Sequence, residues 1–200
     1  MTAASSSSTT RSLAQLVDAR APAAEIAAFL DGVSTSERVA QVLRITGSGV
    51  KRLYDAVADG PAASLDDLVP PGIHGTVAFE GRNSLPAFTR FQKRFTRLED
   101  GSVIGHNHQS ISFLTGPGYF WVRPPSGSGE HGKELVFDYT EATPSQPEGW
   151  PVYKSNLSGF SRLVYGNMKD YVRRVARGVV VGKAYRSGVD QGAYFSLSLP

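Results

Sequence analysis

The chain contains no cysteine. That excludes a disulfide scaffold, a thiolate zinc site, an iron–sulfur cluster and a cysteine nucleophile, and it fits a reducing cytoplasm, the location expected here. No apolar run approaches the roughly 20 residues that a bilayer-spanning helix needs, so no membrane span is expected. A strong charge excess is also lacking. A formal net charge of +3 and an isoelectric point near 9.2 are only mildly basic, and nucleic acid is not expected as a partner. The chain has no G-x-S-x-G elbow, no P-loop, no H-E-x-x-H and no G-x-G-x-x-G fingerprint. The common nucleotide-dependent enzyme classes are therefore set aside, and no cofactor is expected.

What is present suffices for a folded core. Of 200 residues, 40% are hydrophobic and 20% charged, which suits one domain with an appendage. The opening MTAASSSSTTRSLAQLVDAR has no basic stretch followed by an apolar one, so it does not resemble a secretory signal. Its Ser/Thr/Ala run reads as a disordered tail over residues 1–20. Helical signals follow in residues 21–72. Pro22 precedes the stripe Ile26, Phe29, Leu30, which Asp31-Gly32 ends. Ser34 and Glu37 form a capping-box pattern ahead of Val39, Val42 and Leu43. Val50, Leu53, Tyr54 and Val57 fall at helical spacing before Gly60-Pro61. Such short helices must pack on something else.

From about residue 73 the period changes to alternation. HGTVAFE, SVIGHNHQSISFL, GYFWVR, ELVFDYT, RGVVVGKAYR and GAYFSLSL are rich in aromatic and β-branched residues. TGPG, PPSGSGEHG, PSQPEGWP and RSGVDQG separate them, a pattern of antiparallel strands closed into a barrel or folded into a sandwich. RRVARGVVVG suits a hairpin better than a helix. The exception to alternation is AFTRFQKRFTRL. Phe88, Phe91, Phe95 and Leu98 are spaced as one helical stripe, and Arg90, Lys93, Arg94 and Arg97 form a second stripe. A helix over residues 84–98 is expected, its phenylalanines on the sheet and its cations in water or on an anionic partner.

The most suggestive polar feature is His106-Asn107-His108, because residues at i and i+2 of a strand share a face. Both rings can then reach one ligand, and histidine is the commonest acid or base near neutral pH. Gly105-His106-Asn107-His108 with the residues before it resembles the first half of a cupin metal motif. Ser112 and Phe113 stand where that motif has its glutamate, and no metal is expected. Asp138 and Tyr139 alternate across a strand, and an inward Asp138 would serve as a base. Asp170 and Tyr171 form a similar pair.

The β-rich part, residues 73–200, resembles the small antiparallel barrels of the lipocalin or calycin type. Its short strands, the polar turn near Ala176 to Gly178 and the terminal GAYFSLSL strand carry that resemblance. It implies an α+β protein with an N-terminal helical segment, an antiparallel β-barrel and one amphipathic covering helix. It also implies a cavity for a small, mostly apolar molecule, lined by Phe79, Phe113, Tyr119, Trp121, Phe137 and Phe195. Two alternatives stand beside this binding protein. One is an enzyme of isomerase, cyclase or hydrolase type, using His106, His108 and Asp138 as catalytic groups in the same cavity. The other is an interaction module that binds an anionic partner through Arg90, Lys93, Arg94 and Arg97. The sequence is silent on oligomeric state.

Overall fold

The computed structural model describes residues 11–86, 89–108, 116–143 and 146–200. Four short helices come first: α1 (Leu13–Asp18), α2 (Ala23–Gly32), α3 (Thr35–Arg44) and α4 (Ser48–Ala56). Eight strands follow: β1 (Val77–Asn83), β2 (Arg90–Arg97), β3 (Val103–His108), β4 (Tyr119–Arg123), β5 (Leu135–Asp138), β6 (Met168–Ala176), β7 (Val179–Arg186) and β8 (Val189–Ser198). Each strand pairs antiparallel with the next, and β1 pairs with β8, so the sheet closes into a barrel. A fifth helix, α5 (Gly159–Tyr165), lies between β5 and β6. The fold is thus α+β with a closed eight-stranded barrel, one of the two arrangements that the pattern of short strands and turns left open and the one that the resemblance implied. No helix among the described residues is long and apolar enough to cross a membrane.

Two expectations are corrected. Residues 90–97 form strand β2, hydrogen-bonded to β1 and β3 along its length, and not part of a helix. Phe91 and Phe95 lie four apart, a spacing that puts them on one face of a helix and equally on one face of a strand. Barrel closure decides between the two, because β1 and β3 each need a partner edge. The second correction concerns the tail. Its residues 13–18 form α1, capped by Ser12 and Gln15 in a reciprocal capping box, with Leu13, Leu16 and Val17 buried. Those three supply an apolar stripe that the Ser/Thr/Ala run before them masks in composition.

The helices cover the outside of the barrel. Leu13, Leu16, Ile26, Leu30, Val42, Val50 and Leu53 pack with Val175, Val179, Val181 and Tyr194 of β6 to β8. Ser34 accepts from the Glu37 amide as its spacing implied, while Glu37 turns to Gln41 at 2.7 Å. RRVARGVVVG is the β6–β7 hairpin.

The inner face forms a separate core of Phe79, Phe95, Phe120, Phe137, Phe195, Val172, Val180 and Leu197. Three phenylalanines here sit opposite glycines on the neighbouring strand: Gly81 with Phe91, Gly105 with Phe120 and Gly182 with Phe195. A Cβ at Gly105 or Gly182 would stand 2.5 or 2.2 Å from the facing ring. The missing side chain lets each ring lie flat on its neighbour's backbone, which is how eight strands accommodate so many aromatics inside. One end of the barrel is closed by Ala63, Leu68 and Val69, which join this core on either side of a 3-10 turn, Leu65–Asp67. At the other end α5 places Tyr165 over Tyr139, their rings parallel within 6° and 5.6 Å apart.

Candidate functional site

Alternation along four strands brings four polar side chains to one point inside the barrel. On β2 the inward residues are Phe91, Lys93 and Phe95; on β3 they are Val103, Gly105 and Asn107. On β5 and just beyond it they are Leu135, Phe137 and Tyr139; on β6 they are Met168, Asp170 and Val172. Lys93 lies opposite Asn107 in the β2–β3 register, and Asp170 lies opposite Phe137 in the β5–β6 register. Lys93, Asn107, Tyr139 and Asp170 are all buried.

Their hydrogen bonds form a closed set. Lys93 Nζ donates to Asn107 Oδ1 at 2.8 Å, to the Tyr139 hydroxyl at 2.5 Å and to Asp170 Oδ2 at 3.2 Å. The Tyr139 hydroxyl donates in turn to Asp170 Oδ2 at 3.2 Å and accepts from Asn107 Nδ2, also at 3.2 Å. Asn107 Nδ2 reaches the Gly118 carbonyl as well. An ammonium has three donors, and all three are used here. Aromatic rings surround it: Nζ lies 4.9 Å from the ring centres of Phe120 and Phe195, 5.2 Å from that of Tyr139 and 5.4 Å from that of Phe137.

Burial governs the protonation of this group. Loss of hydration lowers the Lys93 pKa, and the neighbouring Asp170 only partly restores it. Burial likewise raises the carboxyl pKa of Asp170 against the opposing pull of Lys93. The two shifts act in the same sense, bringing the neutral amine and carboxylic acid closer in free energy to the ion pair. Burial also holds the Tyr139 hydroxyl well above its ordinary pKa, so it stays protonated and donates.

The residues singled out from sequence are distributed between the two faces. Phe79, Phe137 and Phe195 line the interior. Tyr119 and Trp121 point outward, Tyr119 packing with Ile104 and Trp150, and Trp121 donating to the Ala142 carbonyl at 3.0 Å. Phe113 lies outside the described residues. His106 is on the outer face of β3, buried against Trp150 at 4.4 Å and Tyr119 at 5.6 Å between ring centres. Its Nε2 has no hydrogen-bond partner, and burial lowers its pKa to about 4. His108 is exposed on that same outer face, 6.4 Å from His106 between ring centres. Asp138 is outward and paired with Lys169 at 2.9 Å. No three His, Asp or Glu side chains converge as metal ligands among the described residues. The cations of β2 divide. Arg90 and Arg94 face outward, Lys93 faces into the barrel, and Arg97 bonds Asp66 and the Val69 carbonyl at the closed end.

Reading AFTRFQKRFTRL with a helical period hides Lys93 among surface cations. The signal that finds it is Phe-x-Lys-x-Phe, one cation between two aromatics at strand spacing. Leu-x-Phe-x-Tyr does the same for Tyr139, and Met-x-Asp-x-Val for Asp170.

A second polar cluster lies outside the barrel. Buried Glu134 accepts from the Tyr54 hydroxyl at 2.8 Å, pairs with Arg173 at 2.5 Å and contacts His131 at 2.6 Å. It ties α4 to β6 beside a polar groove of about 350 Å³. Compared with protein-family models, curated proteins and solved structures, the chain matches none of them.

Proposed function

We propose that the barrel interior is the binding chamber for a small, mostly apolar molecule bearing one polar group, the role of lipocalin-like barrels. The observation that carries this reading is the buried Lys93–Asp170–Tyr139–Asn107 cluster set among phenylalanine rings. A buried ion pair adds little stability compared with apolar residues of the same volume, because desolvation offsets the attraction. Its placement amid rings matches a ligand site instead: apolar walls for affinity and a few converging polar groups for orientation. The cluster also lies toward the end of the barrel where α5 and Tyr165 cover it, the side from which a ligand would be admitted. The split of the β2 cations between two faces and the closed end supports a small molecule over a nucleic acid as partner. The absence of cysteine supports a reducing compartment such as the cytoplasm.

A second reading is an enzyme that uses the same cluster as its acid and base. The coupled shifts of Lys93 and Asp170 favour it, since groups so perturbed concentrate in catalytic sites.

Titration with N-phenyl-1-naphthylamine, whose fluorescence rises in apolar surroundings, tests the chamber. Saturable binding of one equivalent is expected. It should be weakened about tenfold by Phe91→Trp near the rim and left unchanged by Val189→Asp on the exposed strand. At a free ligand concentration of about 100 times Kd the bound protein should gain about 2.7 kcal/mol of stability. Binding that is non-saturable, or indifferent to the Phe91 change, would refute an interior site.

A further inference from the structure

We propose that Lys93 captures an aldehyde or ketone with an apolar body as an imine inside the barrel. This rests on the chamber reading above and names the ligand's reactive group. The argument is geometric. Nζ meets three partners, which satisfy its three donors and are each suited to a step of carbonyl condensation. Asp170 Oδ2 at 3.2 Å can take a proton from the ammonium and so uncover the nitrogen lone pair. Tyr139, whose hydroxyl bridges Nζ and Asp170, can donate to the oxygen of an incoming carbonyl. Asn107 Oδ1 holds the amine by one of its remaining hydrogens while the lone pair turns to the ligand. The ring faces of Phe120, Phe137 and Phe195 lie 4.9 to 5.4 Å from Nζ and make its surroundings apolar, which matches the body of such a ligand. Burial favours the neutral amine that the reaction needs, as in other lysines desolvated to become nucleophiles.

The chemistry balances without an oxidant. Asp170 first takes one ammonium proton, and the freed lone pair forms a C–N bond as the carbonyl π pair moves to oxygen, which takes a proton from Tyr139. Asp170 then returns its proton to the Tyr139 oxygen. The carbinolamine nitrogen passes a second proton to the Asp170 carboxylate, and this proton goes through Tyr139 to the hydroxyl oxygen. That oxygen leaves as water while the nitrogen pair forms C=N, which keeps the third ammonium hydrogen as a protonated imine paired with Asp170. Two of the three ammonium hydrogens thus depart with the carbonyl oxygen, and Tyr139 and Asp170 end in the states in which they began.

The test uses the full chain with hexanal at near-stoichiometric concentration, pH 7, and sodium cyanoborohydride to trap any imine. Intact mass and peptide mapping locate the alkyl group. The chain has five other lysines, Lys51, Lys133, Lys154, Lys169 and Lys183, as internal controls. Labelling of Lys93 about tenfold or more ahead of all five is expected. 1-Hexanol, which has the same body but no carbonyl, is run in parallel by thermal shift to report occupancy alone. Stabilisation by hexanol with labelling confined to the other lysines would overturn the imine and leave the binding chamber standing. No stabilisation and no labelling at Lys93 would overturn both. Lys93→Met should abolish the adduct; because that variant strands Asp170 and can fail to fold, mapping on the unaltered chain decides the matter.

Discussion

Lys93 and His106 sit one strand apart, on opposite faces of the sheet, and both have been taken out of water. Lys93 is matched by Asp170, so removing one partner leaves an uncompensated charge in an apolar interior. Lys93→Met should destabilise the protein by about 3–5 kcal/mol in chemical denaturation, whereas Lys93→Met with Asp170→Val should recover most of the loss. Equal destabilisation by the single and double changes would mean that the pair is not the buried unit described. His106 carries a different signature. Its pKa in the folded chain, about 4, lies below the ordinary value near 6.5, chiefly through burial, with Arg94 and His108 adding repulsion. The unfolded chain therefore binds the extra proton between these values. Stability should be full above about pH 6.5 and fall towards pH 4 by up to roughly 3 kcal/mol. Denaturation midpoints of the wild type and of His106→Phe across that window measure the effect, and the variant should show a correspondingly shallower decline.

Strand β2 is the element whose period matters most. As a helix it would have put Lys93 beside Arg90 and Arg97 in water; as a strand it puts Lys93 between Phe91 and Phe95 inside the barrel. Phe95 touches the rings of Phe79, Phe120 and Phe137, with ring centres 5.4 to 5.8 Å apart. Phe95→Ala should cost about 3–5 kcal/mol. Arg90→Ala, at an exposed position, should change stability by under about 0.5 kcal/mol. Thermal melts of the two variants separate these outcomes, and a mild effect of Phe95→Ala would contradict its place in the core. Helix α1 makes the complementary point. A low-complexity run ahead of it disguises six residues whose apolar stripe is complete, and only contact with α2 and α4 shows that the stripe is used.

At the scale of the whole molecule, closure joins the ends of the barrel sequence: β8 pairs with β7 on one side and with β1 on the other. Residues more than a hundred positions apart must meet before either edge is satisfied, so the last strand is needed for cooperative folding. Removing residues 189–200 should abolish the near-ultraviolet circular dichroism signal and the cooperative unfolding transition, because two strand edges and the interior rings lose their cover. A truncated chain that still melts cooperatively would show that the sheet closes without β8. Local chemistry by itself determined the helical first third, the strand-and-turn rhythm from residue 73 and the β6–β7 hairpin, since capping, alternation and glycine turns are short-range signals. That the strands close into a barrel and do not fold into a sandwich was decided by the pairing of β1 with β8. The role of residues 90–97, the sides of the sheet taken by His106 and Lys93, and the meeting of Lys93, Asn107, Tyr139 and Asp170 were decided only by the tertiary structure. Helix and strand periods coincide over the Phe91–Phe95 spacing, and which face of each strand turns inward is set by register and closure, which are properties of all eight strands together.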